Sequence, residues 1–184
     1  MSRLHTPASV DAAPATTHAS LRGVEQQLGM VPNLFRLVAT SPASLSGYLA
    51  MSGAAARGRL DGATRERIAL VVAEINGCAY CLSAHTFLGR NVAGLDDAEI
   101  TANRHGASSD PLADAAVRFA AAVVRQRGHV TDDQLAAVRA AGHDDGAVLE
   151  IVLAVALNTF TNYVNEVART EIDFPVVQPL PRAA

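Results

Sequence analysis

The 184-residue chain contains no tryptophan, no lysine, two cysteines and eight aromatic residues. Each shortage closes a line of explanation. Without lysine there is no Schiff-base chemistry, and all fifteen basic residues are arginine. A formal net charge of −3, with charges spread and no interleaving of basic and aromatic residues, speaks against a nucleic-acid partner. Two cysteines three positions apart cannot form a structural disulfide framework, and such a pair suits a reducing cytoplasm. Met1 to Ala19 has no continuous apolar core of the kind a signal peptide needs, and the longest apolar run, Ala147 to Leu157, is interrupted by Glu150 and too short for a bilayer. The expectation is a cytoplasmic protein with no membrane span.

What the chain has instead is alanine, 36 residues of it, within a hydrophobic content of 49%. That composition favours closely packed helices, and no alternating strand pattern of useful length appears. The predicted class is all-α without a sheet, organised as a flexible tail (1–19), one helical domain (20–170) and an extended arm rich in proline (171–184). Helix starts are marked by Ser41-Pro42, Asp110-Pro111, and the capping-box spacings Asp96/Glu99 and Thr131/Gln134. Leu112, Ala116, Phe119, Ala120 and Val123 predict the buried face of the helix after Pro111, and a last long helix is expected over Asp145–Ala168. Its polar series Asn158, Asn162 and Glu166 is expected to face solvent, an interface or the site, with solvent favoured, and His5, His18, His105, His129 and His143 are expected at the surface. Apolar helices this rich in alanine also suggest burial between subunits.

The chemistry is concentrated between Glu66 and His85. Both cysteines lie here, Cys78 and Cys81, with His85 four residues beyond the second and Glu66 twelve before the first. On a helix, positions 78, 81 and 85 share a face. A thiolate is the reactive form of cysteine, so something must lower the pKa of one sulfur. Asn76-Gly77 reads as a helix break that sets Cys78 in the first turn of a new helix, where the dipole favours an anion. His85, one turn after Cys81, can hold or accept its proton. The two devices favour different sulfurs. Glu66 is expected in the first turn of its helix, where a carboxylate is also favoured for purely structural reasons, and Glu74 reads as a solvated or salt-bridged acid.

The pattern Glu66-x11-Cys78-x2-Cys81-x3-His85 resembles the active site of the alkylhydroperoxidase AhpD family, within the carboxymuconolactone decarboxylase superfamily. Leu28-Gly29-Met30-Val31-Pro32-Asn33-Leu34-Phe35, followed by Ser41-Pro42, resembles its peroxidase-related branch. The resemblance implies an AhpD-like helical domain and reduction of a hydroperoxide, with an external dithiol as reductant and no cofactor. It implies a homo-oligomer, trimer or hexamer. It assigns Cys81 as the peroxidatic and Cys78 as the resolving cysteine, with Glu66 and His85 as a proton relay. Tyr80 is a departure, because the family has histidine there, and a phenol with pKa near 10 is a poor base at pH 7. Magnitudes agree with the family roles: a helix end is worth about one pKa unit, an adjacent imidazole several.

Three other readings compete. Lactone decarboxylation, the reaction that names the superfamily, does not depend on a CxxC pair. Cys78, Cys81 and His85, with Glu66 or Glu74, supply the donor types of a zinc site in an interaction protein, although structural zinc sites usually draw ligands from two segments. A redox sensor keeps the dithiol without efficient turnover.

Overall fold

The computed structural model describes residues 2–181 and is all-helical, with no strand among the described residues. Among the described residues nine α-helices follow a short 3₁₀ turn: α1 (His18–Leu28), α2 (Asn33–Val38), α3 (Pro42–Ala55), α4 (Gly62–Asn76), α5 (Ala79–Asn91), α6 (Asp97–Arg104), α7 (Pro111–Gln126), α8 (Asp132–Ala140) and α9 (Asp145–Ala168). Their starts follow local chemistry. Ser41, Asp61, Asp96, Asp110, Thr131 and Asp144 each accept a backbone N–H of the turn they cap.

Helix α4 is the axis of the molecule. Six consecutive residues, Ile68 to Ala73, are buried, so the helix is covered on all sides, by α5, α6, α7 and α9. Ile68, Val71 and Val72 join Ala116, Val117, Phe119, Ala120, Ile151 and Ala154 in the larger core. A second cluster collects Leu21, Leu34, Val38, Leu45 and Leu82 around Cys78, Tyr80 and Cys81. The dithiol therefore sits inside a core, not at its edge.

Several expectations from the sequence need correction. Residues 2–17 lack regular structure apart from the 3₁₀ turn, yet they lie along the body: Arg3 N–H donates to the Ala168 carbonyl, and Pro7, Ala13 and Thr17 are buried. Helix α1 begins at His18, inside the stretch 1–19 expected as a flexible tail. Glu66 lies in the second turn of α4, since Gly62 is its first residue. Asp96 caps α6, but no reciprocal capping box forms, because the Glu99 carboxylate turns instead to Arg67, Asn103, Ser108 and Ser109. At Thr131/Gln134 the box is complete. Leu112 is half exposed while the rest of its predicted face is buried. His143 is buried and shares a hydrogen bond with the Leu112 carbonyl, a contact between segments that spacing alone does not reveal. Asn158 and Asn162 are buried too; only Glu166 of that series is exposed.

After α9 the chain is extended through residue 181 and returns across α4 and α5. Val177 N–H donates to Ser83 Oγ, Leu180 N–H donates to Glu74 Oε1, and Arg104 bonds both Glu74 and the Gln178 carbonyl. Glu74 is thus salt-bridged as expected, but it is not a surface acid: its side chain is only 11% exposed beneath the arm. The last three residues of the expected arm, 182–184, lie outside the described residues.

Candidate active site

The junction of α4 and α5 fixes the cysteines. Gly77 ends α4 at φ 71°, a left-handed conformation that glycine adopts without a Cβ clash. Gly77 N–H donates to the Glu74 carbonyl and Cys78 N–H to the Ala73 carbonyl, the paired bonds of a Schellman ending. Cys78 is at the same time the N-cap of α5, and its Sγ accepts the Cys81 N–H at 3.4 Å. One residue closes a helix and opens the next. This differs from the sequence reading, in which Cys78 belongs to the first turn of α5, and it places Cys78 Sγ over the helix end where Cys81 begins.

Cys81 is surrounded by donors. Asn165 Nδ2 of α9 donates to its Sγ at 3.2 Å. Its pKa is pulled down from the ordinary thiol range, first by the hydrogen bond from Cys78; burial opposes, and His85, Asn165 and Asn162 add to the lowering. The Cys78 thiol is pushed up, because its proton is engaged by Cys81 and because it is buried beside that sulfur's charge. The surroundings of two cysteines separated by one helical turn thus act in opposite directions, favouring the charged form at Cys81 and the neutral form at Cys78.

His85 Nδ1 lies 2.8 Å from Glu66 Oε2. A carboxylate only accepts, so Nδ1 carries hydrogen toward Glu66, and Nε2 is left as the nitrogen that can exchange a proton. Burial works against the imidazolium, but the charge and hydrogen bond of Glu66, together with Cys81, outweigh it and raise the His85 pKa. Tyr80 is differently employed. Its hydroxyl donates to Asp173 Oδ1 at 2.8 Å and accepts the Leu34 N–H at 3.1 Å, and Asp173 also accepts Asn33 N–H. Burial, with Asp173 and Cys81 nearby, pushes the phenol pKa up despite the Leu34 bond. The ring pins the C-terminal arm to α2 and α5, with Phe174 packed edge-on against it.

A cavity of about 410 Å³ opens beside these groups. Cys81, His85, Glu66 and Tyr80 line it, and Cys78 does not. Most of its remaining wall is apolar, including Leu34, Phe35, Tyr48, Leu88 and Phe174. The structure therefore gathers all five residues singled out in the sequence, but gives them unequal access. Asn165 was not foreseen. It falls one position before Glu166 in a helix whose polar series is read as solvated, and only the packing of α9 on α5 brings it to sulfur. A tetrahedral metal site is not formed: no group of three or more His, Cys, Asp or Glu side chains is placed to hold an ion among the described residues. Glu74 is committed to Arg104 and Leu180.

Residues 42–126 match the family model of the carboxymuconolactone decarboxylase family. That segment contains Glu66, Cys78, Cys81 and His85 and stops before α9. No curated protein matches the sequence. Among solved structures, an uncharacterized peroxidase-related protein from Silicibacter sp. TM1040 is 25% identical, with 93% of this chain and 94% of that one covered at a TM-score of 0.78. The alkylhydroperoxidase AhpD core of a peroxidase-related protein from Ralstonia eutropha JMP134 is 24% identical, covering 94% and 92% at a TM-score of 0.82. The debrominase Bmp8, in complex with 2,3,4-tribromopyrrole, is 21% identical, covering 94% of each chain at a TM-score of 0.79. Residues 42–126, somewhat less than half of the chain, thus resemble the carboxymuconolactone decarboxylase family, and the helical fold is that of the AhpD-like peroxidase-related proteins.

Proposed function

We propose that this protein reduces a hydroperoxide through a Cys81/Cys78 dithiol–disulfide cycle. The observation that carries the reading is the unequal access of the pair: Cys81 lines the cavity with His85 and Glu66, while Cys78 does not. The Cys81 thiolate attacks the distal peroxide oxygen, the O–O bond breaks, and sulfur is oxidised to sulfenic acid as the alkoxide leaves. His85 gives that alkoxide a proton from Nε2, and Glu66 stabilises the imidazolium that precedes the transfer. The Cys78 sulfur then attacks Cys81, the S–O bond breaks, and the sulfenic hydroxyl leaves as water with the Cys78 proton. A disulfide remains. An external dithiol supplies the two electrons that reset it. Tyr80 takes no proton in this cycle, since its own is held between Asp173 and the site.

Trapping with a sulfenic-acid reagent tests the roles. A Cys78→Ser protein labels at residue 81 after peroxide and forms no disulfide, while a Cys81→Ser protein does not label. Labelling at residue 78 in Cys81→Ser would reverse the assignment.

The apolar cavity supports a second reading, suggested by the structural likeness to a debrominase. Here the Cys81 thiolate takes the halogen from an aromatic carbon, and His85 protonates the carbanion. Cys78 then displaces halide as the disulfide forms, again with an external dithiol as reductant. Halide release from a brominated pyrrole or phenol, set against peroxide consumption under the same dithiol, separates the two.

A further inference from the structure

Two tyrosines line the cavity, and they are employed differently. The Tyr80 hydroxyl is fully used, donating to Asp173 and accepting the Leu34 N–H. The Tyr48 hydroxyl has no protein partner among the described residues. Its ring is nonetheless fixed: Phe35 of α2 meets it edge-on at 5.7 Å between centroids, and Phe160 of α9 stacks on it at 6.1 Å. Tyr48 itself stands on α3, so contacts from three helices orient a phenol whose oxygen is committed to nothing. Other polar groups around the same cavity are taken, Arg65 by the Leu60 carbonyl, Asn158 by that of Ala154 and Thr161 by that of Asn158. Packing alone would be served as well by phenylalanine.

We propose that Tyr48 is a catalytic residue whose hydroxyl donates a hydrogen bond to the substrate oxygen on which negative charge develops as Cys81 attacks. The inference rests on the hydroperoxide reading above, in which that oxygen is the one that leaves. The thiolate gives an electron pair to the distal oxygen, the pair of the breaking O–O bond passes to the proximal oxygen, and His85 supplies the proton that completes the alcohol. Tyr48 keeps its own proton throughout. Burial, with the negative charges of Cys81 and Glu66 nearby, pushes the phenol pKa up, so at neutral pH the group is a donor and not a phenolate. A fixed donor facing developing charge acts most strongly where the surroundings are apolar, as most of this cavity's wall is. His85 transfers a proton to the leaving oxygen, and Tyr48 steadies that oxygen until the proton arrives.

The contribution of such a donor depends on how basic the leaving oxygen is. An alkyl hydroperoxide leaves as a strongly basic alkoxide and needs the donor, whereas a peracid leaves as a carboxylate and hardly does. A group that only shaped the cavity would make no such distinction.

Tyr48→Phe tests this, because it retains the ring and both aromatic contacts. In a Cys78→Ser background, sulfenic-acid formation with tert-butyl hydroperoxide should fall by about 10²-fold and with peracetic acid should change little. Alkylation of Cys81 by iodoacetamide, which has no leaving oxygen, should keep its rate and its pH dependence. Equal losses with both peroxides, no loss with either, or an alkylation profile displaced to higher pH would overturn the proposal, the last because the hydroxyl would then serve the sulfur. A second measurement needs no turnover. Ligand-observed NMR compares 2-phenylpropan-2-ol, an alcohol product, with isopropylbenzene, the same skeleton without oxygen. Tyr48→Phe should weaken binding of the alcohol by about 2–10-fold and leave the hydrocarbon unaffected. An alcohol that binds both proteins alike, or neither, would overturn the assignment. If the unaltered protein ignored both peroxides while that difference in binding persisted, the hydroperoxide reading would fall and the Tyr48 donor would stand.

Discussion

Adjacent residues of α4, Glu66 and Arg67, each enter a carboxylate site, and the two sites differ in how completely they are satisfied. Glu66 has one hydrogen-bond partner, His85, and borders the cavity. Glu99, reached by Arg67, accepts from Arg67 Nε, Asn103 Nδ2, both Ser108 and Ser109 hydroxyls and the Ser109 N–H. Burial pushes the Glu99 carboxyl up, but these donors outweigh it and hold it well below the usual carboxylate range. A carboxylate saturated with fixed donors cannot pass a proton on, and it ties α4 to α6 and to the start of α7. A carboxylate with one titratable partner and an open side can take part in proton transfer. The same residue type is a structural hub in one place and a relay member in the other because of its neighbours.

The sharpest way to break that contrast is to remove each site's key group in turn. Cys81→Ser should reduce peroxide consumption to the background rate while leaving the melting temperature nearly unchanged. Glu99→Gln should do the reverse. Leaving Arg67 buried without its partner should cost about 3–5 kcal/mol, read by urea unfolding, with sulfenic-acid formation per folded molecule unaltered. The sign with pH follows from the depressed pKa. The stabilisation from Glu99 is fully present above the ordinary value of 4.5 and is lost as pH falls through the folded one. The unaltered protein should therefore lose stability below that pH more steeply than Glu99→Gln.

A smaller loss is expected on the relay side. Glu66→Gln and His85→Ala should each slow sulfenic-acid formation by roughly 10²-fold, the low end of general acid–base contributions, and leave the disulfide reducible by an external dithiol. If Glu66→Gln instead behaved like Glu99→Gln, destabilised and fully active, the distinction between the two carboxylates would collapse. Tyr80→Phe is expected to show a structural signature. It strips the Leu34 N–H and Asp173 of a buried partner, costing about 1–3 kcal/mol, and should raise amide exchange in residues 171–177 more than it slows turnover.

How much of this was legible in the sequence depended on whether the information was local. The span Asp145–Ala168 is observed as expected because Asp144 caps one end and Arg169 turns left-handed at the other. The break at Asn76-Gly77 was readable for the same reason. Periodicity placed Asn158 and Asn162 on one face but not that face against the junction of α4 and α5, since nothing in a polar spacing says what covers it. Asn162 in fact accepts from Asn76 at 2.8 Å. The Asp96/Glu99 spacing promised a local box, and a denser set of donors from α4, α6 and the loop before α7 won the carboxylate. Tyr80 was conspicuous as a departure, yet its partner, Asp173, lies 93 residues away.

Asn165, which no spacing in the sequence singles out, touches the reactive sulfur directly. Asn165 Nδ2 donates to Cys81 Sγ from a buried position, so the bond favours the thiolate over the thiol. A hydrogen bond to a charged group contributes about 1.5–3 kcal/mol, or roughly 1–2 pKa units at 1.36 kcal/mol each. The Cys81 pKa is lowered first by Cys78 and also by His85, so losing Asn165 alone should move it back only in part. In Asn165→Ala the acidic limb of the pH–rate profile for sulfenic-acid formation should shift upward by about one unit. Above the ordinary thiol range the rates of the two proteins should converge, because Cys81 is then ionised in both. Thiolate absorbance in the ultraviolet, followed against pH in a Cys78→Ser background, should show the same displacement. A uniform fall in rate at all pH values would mean that Asn165 merely holds α9 in place, and the thiolate would then depend on Cys78 and His85 alone.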